Sequence, residues 1–234
     1  MSDKPQIKAI IFDLDGTLID SIVDIANAMN ASLKELGYPE HPVEAYKSFI
    51  GDGQMELARK VLPEDKRTPE NIDALAKKYW DNYDIEWYLH TNIFSGVLYL
   101  IQLAVARKIK LAILSNKPHY FTKKMIRHFF RGAMIRHTKN PFGVYSGEEP
   151  DRPRKPDPTV ALELAERMKV KPKYCAIVGD SVVDIKTAKN AGMIAIGASW
   201  GYGNKKDLQE AGADLIFDSP TQMSAYLDSL PLCL

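Results

Sequence analysis

Residues 10–20, IIFDLDGTLID, decide how this chain reads. A short apolar run, Ile10-Ile11-Phe12, delivers two aspartates one residue apart, Asp13 and Asp15, and Gly16-Thr17 then break the strand. Residues i and i+2 of a strand point to the same side, so both carboxylates can face one site at its carboxyl end. Acids ending a buried strand are costly unless a cation or hydrogen bonds compensate them, which argues against a merely polar turn. Paired carboxylates with room beside them for a substrate phosphate suit Mg²⁺.

Working outward, strand-like and helix-like patterns alternate. Strands are expected at 8–12, 110–114, 174–178, 194–198 and 214–217, with helices at 97–107, 119–129, 158–168, 182–191 and 220–229. Such alternation predicts an α/β fold, a Rossmann-like three-layer core with a parallel sheet. Ligands of these sheets bind outside the carboxyl ends of the strands. One block interrupts the alternation. Between Ile22 and His90 the period is helical throughout: Ile22, Ile25, Ala26, Met29, Leu33 and Leu36 form one stripe, with Ser21 as expected N-cap and Gly37 as stop. Further helices are expected at 55–62 and 71–88. The organisation expected is therefore a core of residues 1–19 and 93–234 with an all-helical cap of residues 20–92 inserted after the first strand.

Three later motifs fall near strand ends. In LAILSNKP (111–118), a hydroxyl and backbone amides before a helix suit an anion, although Ser115 and Asn116 also fit a plain helix cap. In RKPDP (154–158), Lys155 enters a proline-rich turn; it suits phosphate as a compact charge, and taken alone it also reads as a surface lysine. In IVGDSVVD (177–184), Asp180 follows an apolar strand and Asp184 lies one helical turn on, where capping is the competing explanation.

The 234 residues are 45% hydrophobic and 26% charged with a formal net charge of +1, so no global field favours nucleic acid or a membrane. Two distant cysteines, Cys175 and Cys233, give no disulfide framework or zinc site, and the expected setting is a reducing cytoplasm. The start MSDKPQIK lacks the apolar region of a signal peptide, and no run is long enough to span a membrane.

Taken together and in order, FDLDGT, LSN, RKP and GDSVVD resemble the four motifs of the haloacid dehalogenase superfamily, specifically its phosphatases. The DGTLIDS start, the IGDG turn (50–53), SNKP, KPDP and the SWGYG turn (199–203) look phosphoglycolate phosphatase-like, and the resemblance spans essentially the whole chain. It implies a Mg²⁺-dependent phosphomonoester hydrolase in which Asp13 is the nucleophile and forms an aspartyl-phosphate, and Asp15 serves as acid and then base. The same resemblance places Mg²⁺ on the Asp13 carboxylate, the Asp15 backbone carbonyl and Asp180. Gly16, Ser115, Asn116 and Lys155 would hold the phosphoryl oxygens, and Asp184 would orient Lys155 or a metal-bound water. Aspartate at position 15 favours a phosphatase or a phosphomutase over a dehalogenase or a transport ATPase. Pyrophosphate hydrolysis and a non-catalytic binding role are further alternatives. Gly51, Asp52 and Gly53 look like the cap loop that closes over the site. Trp200 and Tyr202 could line the entrance or simply pack. The expected partner is a small phosphorylated substrate, for a monomer or homodimer, with no nucleic acid and no membrane.

Between Ser115 and Lys155 the chain is longer than this pattern usually shows, and an extended loop is expected there. No Asp or Glu occurs from Trp87 to Gly147, while Lys123, Lys124, Arg127, Arg131, Arg136 and Lys139 cluster with His128 and His137. A solvated basic face is the reading preferred over a nucleic-acid surface.

Overall fold

The computed structural model describes residues 6–130 and 141–231. Its centre is β1 (Ala9–Phe12), four residues with every side chain buried, as a strand inside a parallel sheet requires. Alternation sends its side chains to opposite faces. Ile10 and Phe12 join one hydrophobic cluster, and Ala9 and Ile11 join another.

The chain then forms β2 (Ile19–Asp20), α1 (Ile22–Glu35), α2 (Tyr46–Phe49), α3 (Gln54–Val61), α4 (Pro69–Glu86) and β3 (Asn92–Ile93). It returns through α5 (Val97–Ala106), β4 (Lys110–Pro118), α6 (His119–Phe130), β5 (Phe142–Glu148) and α7 (Thr159–Arg167). The last elements are β6 (Cys175–Gly179), α8 (Val182–Asn190), β7 (Ile194–Ala198), α9 (Lys205–Glu210), β8 (Leu215–Phe217) and α10 (Pro220–Asp228). Six strands make one sheet in the order β5-β4-β1-β6-β7-β8, and every neighbouring pair is parallel. Leu100 of α5 and Leu227 of α10 pack on one face; Leu164 of α7 and Ile185 of α8 pack on the other. The α/β class expected from the alternation is the observed one.

The four helices α1–α4 leave and rejoin this core through a two-stranded antiparallel ribbon, with Ile19 opposite Ile93 and Asp20 opposite Asn92. Asp24, buried in α1, ties the two crossings together. Its carboxylate accepts from the Thr91 hydroxyl at 2.6 Å, the Thr91 amide at 2.8 Å and the His90 amide at 3.0 Å. α4 starts where Thr68 accepts from the Asn71 amide and Pro69 opens the first turn, a start that proline suits because its missing N–H has no helical partner there.

Several local expectations change. Ser21 makes no side-chain cap on α1; its hydroxyl donates instead to Asp15, because a charged acceptor in the folded protein outcompetes the local amides. β4 runs through the whole SNKP motif to Pro118 rather than stopping at 114. Tyr174 belongs to a 3₁₀ turn before β6. α9 is short and polar, with only Leu208 buried, so it carries no periodic stripe to read. β5 supplies an edge strand within the stretch expected to be an extended loop; its two glycines and mixed polarity hide it. The rest of that loop, with Arg131, Arg136, His137 and Lys139, lies outside the described residues. Among the described residues, no helix is long and apolar enough to cross a membrane.

Candidate active site

The carboxyl ends of β1, β4 and β6 converge. Asp13 follows β1 directly, and its amide donates to Val178 O at 2.9 Å, which holds the end of β1 against β6. The chain then doubles back: the amides of Thr17, Leu18 and Ile19 all converge on Leu14 O. Gly16 sits in this turn at φ +84°, and a Cβ there would lie 2.4 Å from Asp180 Oδ2. Glycine is therefore required twice over, by conformation and by close approach.

Asp180 follows β6 and is fixed from two sides. Thr17 Oγ1 donates to its Oδ1 at 3.0 Å, and the Tyr202 amide donates to its Oδ2 at 2.9 Å. The loop after β7 is pressed just as close: a Cβ on Gly201 would lie 2.1 Å from Gly16 O. Trp200 Nε1 donates to Thr17 O at 3.0 Å, and the Tyr202 hydroxyl donates to Asp20 while accepting from the Ser21 and Ile22 amides. These two aromatics brace the turn after β1.

Lys155 enters from the loop before α7, strapped by its backbone. Asn116 Oδ1 accepts from the Lys155 amide at 2.9 Å, and Asn116 Nδ2 donates to Lys155 O at 3.1 Å and to Gly51 O at 3.0 Å. Asn116 is thus no helix cap; it joins β4, the lysine loop and the cap loop. The Lys155 ammonium is buried between two carboxylates, 2.8 Å from Asp13 Oδ1 and 2.5 Å from Asp184 Oδ1. Asp184 is fully buried, and its other oxygen accepts from the Ser181 amide and hydroxyl, closing a capping box at the start of α8. One side chain thus both caps α8 and pairs with Lys155.

The electrostatics follow from the count. Asp13, Asp180 and Asp184 bring ligand atoms within 4.8 Å of one another, all buried, against one bonded ammonium among the described residues, that of Lys155. Burial pushes the Asp13 carboxyl up to about 8; Lys155 opposes the rise, and Asp184 and Asp180 add to it. Asp180 is pushed up to about 6 by burial and Asp184, with the Tyr202 amide and Thr17 opposing. Burial alone would lower Lys155, but Asp13 and Asp184 outweigh it and raise it, so it stays cationic. Negative charge in excess of the available cation, carried by hard oxygen donors, is what a divalent cation such as Mg²⁺ relieves.

Asp15 is held apart from this cluster. Lys117 Nζ lies 3.1 Å from its Oδ1 and 3.2 Å from its Oδ2, and Ser21 Oγ donates to Oδ1 at 2.5 Å. The sequence pattern gives Lys117 no role. Nothing local marks it, because its partners lie 102 and 34 residues away. Asp13, Asp15, Ser115, Asn116, Lys155 and Asp180 all face one cavity of about 120 Å³. Its far wall comes from α1–α4 and includes Gly51 and Gly53 of the cap loop. Asp52 is engaged within that layer by Lys60 at 2.7 Å.

A family model for haloacid dehalogenase-like hydrolases matches residues 10–198. The chain belongs to that family, and it is a phosphatase-type, phosphoglycolate phosphatase-like hydrolase within it. It is 31% identical to a phosphoglycolate phosphatase of Psychrobacter arcticus, with 93% of this chain and 94% of that protein aligned. It is 34% identical to the phosphoglycolate phosphatase of Aquifex aeolicus, over 95% and 97%. A solved structure from Lactobacillus delbrueckii subsp. bulgaricus superposes with a TM-score of 0.86 at 27% identity, covering 95% of this chain and 98% of that one. A haloacid dehalogenase-like family hydrolase of Streptococcus pneumoniae does so with a TM-score of 0.80 at 26% identity, over 94% and 98%.

Proposed function

We propose that this chain is a Mg²⁺-dependent phosphomonoester hydrolase that acts on a small, phosphoglycolate-like metabolite through an aspartyl-phosphate on Asp13. The observation that carries this reading is Asp13 itself: a buried carboxylate at a strand end, 2.8 Å from the Lys155 ammonium, with Asp180 and Asp184 beside it. In the first half-reaction an Asp13 oxygen attacks phosphorus, the bond from phosphorus to the ester oxygen breaks, and Asp15 gives that oxygen its proton. In the second, Asp15 takes a proton from water, the water oxygen attacks phosphorus, and the Asp13–phosphorus ester bond breaks to free phosphate. Ser115, Asn116, Lys155 and the Gly16 amide hold the phosphoryl oxygens, and Asp184 orients Lys155. Mg²⁺, held by the Asp13 and Asp180 carboxylates and the Asp15 carbonyl, would neutralise charge between nucleophile and phosphate.

Lys47 on the same cavity favours an ester that carries further negative charge, and the phosphoglycolate phosphatases among the relatives agree with that choice. Residues 20–92 act as a cap on a core of residues 1–19 and 93–234, in a reducing cytoplasm. The test is phosphate release from a panel of small esters that includes 2-phosphoglycolate, with Mg²⁺ or with a chelator, beside Asp13→Asn. Release that needs the metal and disappears in the variant supports the reading. Release that persists undiminished in Asp13→Asn overturns it.

A further inference from the structure

Lys117 and Tyr83 stand out among the buried polar groups that the reaction above does not use. Lys117 projects from the end of β4 with its side chain 6% exposed. Besides both Asp15 oxygens it donates to the Tyr83 hydroxyl at 2.8 Å. Tyr83 lies on α4, in the helical layer over the site, and is itself buried against Tyr79 and Phe121. One ammonium therefore links the aspartate assigned as acid and base to the helical layer that covers it.

We propose that Lys117 is a positioning residue for Asp15, and that Tyr83 completes its setting when the cap is seated over the site. The proposal rests on the phosphatase reading. Asp15 stands on a turn beyond the end of β1, and its side chain has torsions that the strand does not restrain. To hand a proton to the ester oxygen it must be aimed within hydrogen-bond reach of that atom. Lys117 spans both its oxygens and Ser21 holds one of them, so three donor contacts set its direction. Simple adhesion between α4 and β4 would be served by an apolar side chain, because an ammonium in the interior carries a desolvation penalty. Placing the charge there makes sense where it aims a carboxylate. Because Tyr83 arrives with α4, the aim is complete only with the cap in place, and proton delivery is tied to the closed cavity.

The test compares kcat/KM on two esters in the wild-type chain, Lys117→Met and Tyr83→Phe, with thermal melting to verify folding. 2-Phosphoglycolate has an alkoxide leaving group that needs a proton; 4-nitrophenyl phosphate has a leaving group that needs none. kcat/KM reports the steps up to phosphoryl transfer, where Asp15 acts as acid. The expected result is that the ratio of the two values, phosphoglycolate over nitrophenyl, falls about tenfold or more in Lys117→Met and about threefold or more in Tyr83→Phe. Tyr83→Phe keeps every charge, so a lower ratio there cannot come from weaker attraction of the substrate carboxylate; it also decides the matter alone if Lys117→Met fails to fold. Equal losses on both esters, or no loss on either, overturn the positioning role. Absence of phosphate release from both esters in the wild-type chain is a different result: it refutes the phosphatase reading itself and removes the role that depends on it.

Discussion

Replacing Lys155 with methionine removes the only ammonium that, among the described residues, bonds to the three-aspartate cluster, while keeping most of the side-chain volume. The wild-type ammonium, 3% exposed, makes two charge-assisted contacts, at 2.8 Å to Asp13 and 2.5 Å to Asp184. Breaking a buried pair by deleting one partner costs about 3–5 kcal/mol, which agrees with two charge-assisted hydrogen bonds at about 1.5–3 kcal/mol each. In a chain of this size that is a fall in Tm of about 6–20 °C. The loss should depend on pH, and its sign follows from Asp13. That carboxyl is raised from 3.8 to about 8 in the fold, so the fold loses stability as pH rises through that window. Below about pH 8 the folded Asp13 is protonated in both chains and they lose stability in parallel. Above it wild type ionises Asp13 beside Lys155 and the variant cannot, so the gap between them should widen from about pH 6 to about pH 9. Calorimetric melting at both pH values in chelator, then with Mg²⁺, measures this. Recovery of part of the lost Tm on adding Mg²⁺ at pH 9 is expected, because the cation supplies the missing charge. A variant as stable as wild type at pH 9, or a loss of the same size at both pH values, would refute the electrostatic account of the cluster.

Two further outcomes follow from the same geometry. Asp13 and Asp180, pushed up to about 8 and about 6, hold protons that a metal must displace; Mg²⁺ affinity in a calorimetric titration should therefore strengthen from pH 6 to pH 8, by at most about tenfold per unit for each proton released, and a flat profile would count against these ligands. Gly201→Ala puts a methyl group 2.1 Å from Gly16 O and 2.4 Å from Asp180 Cβ, so it should lower stability by about 1–3 kcal/mol and weaken Mg²⁺ binding by moving Asp180; unchanged melting and binding would show that the loop yields without disturbing the site.

Much of this site is legible in the sequence. Asp13 and Asp180 announce themselves because each closes an apolar strand with a charge, a conflict that folding must resolve locally. Lys155 and Asp184 were ambiguous, and burial made the difference: a lysine that reads as surface becomes a buried ammonium once Asn116 clasps its backbone from the end of β4. Ser21 shows the opposite error, since serine before a helix is a natural cap until Asp15 comes within 2.5 Å. The edge strand β5 stayed hidden because an edge demands no continuous apolar run.

The sequence alone determined the α/β alternation, the placing of a helical block after the first strand and the acidic strand ends, because strand and helix periods and charge at a strand terminus are local properties of the chain. Only the tertiary structure decided which groups meet. The Lys117–Asp15–Tyr83 bridge, the bracing of Asp180 by Thr17 and Tyr202, and the joining of two cap crossings by Asp24 all link residues far apart in sequence. Such pairings follow from how a sheet and its cap pack in space, and no local period records them.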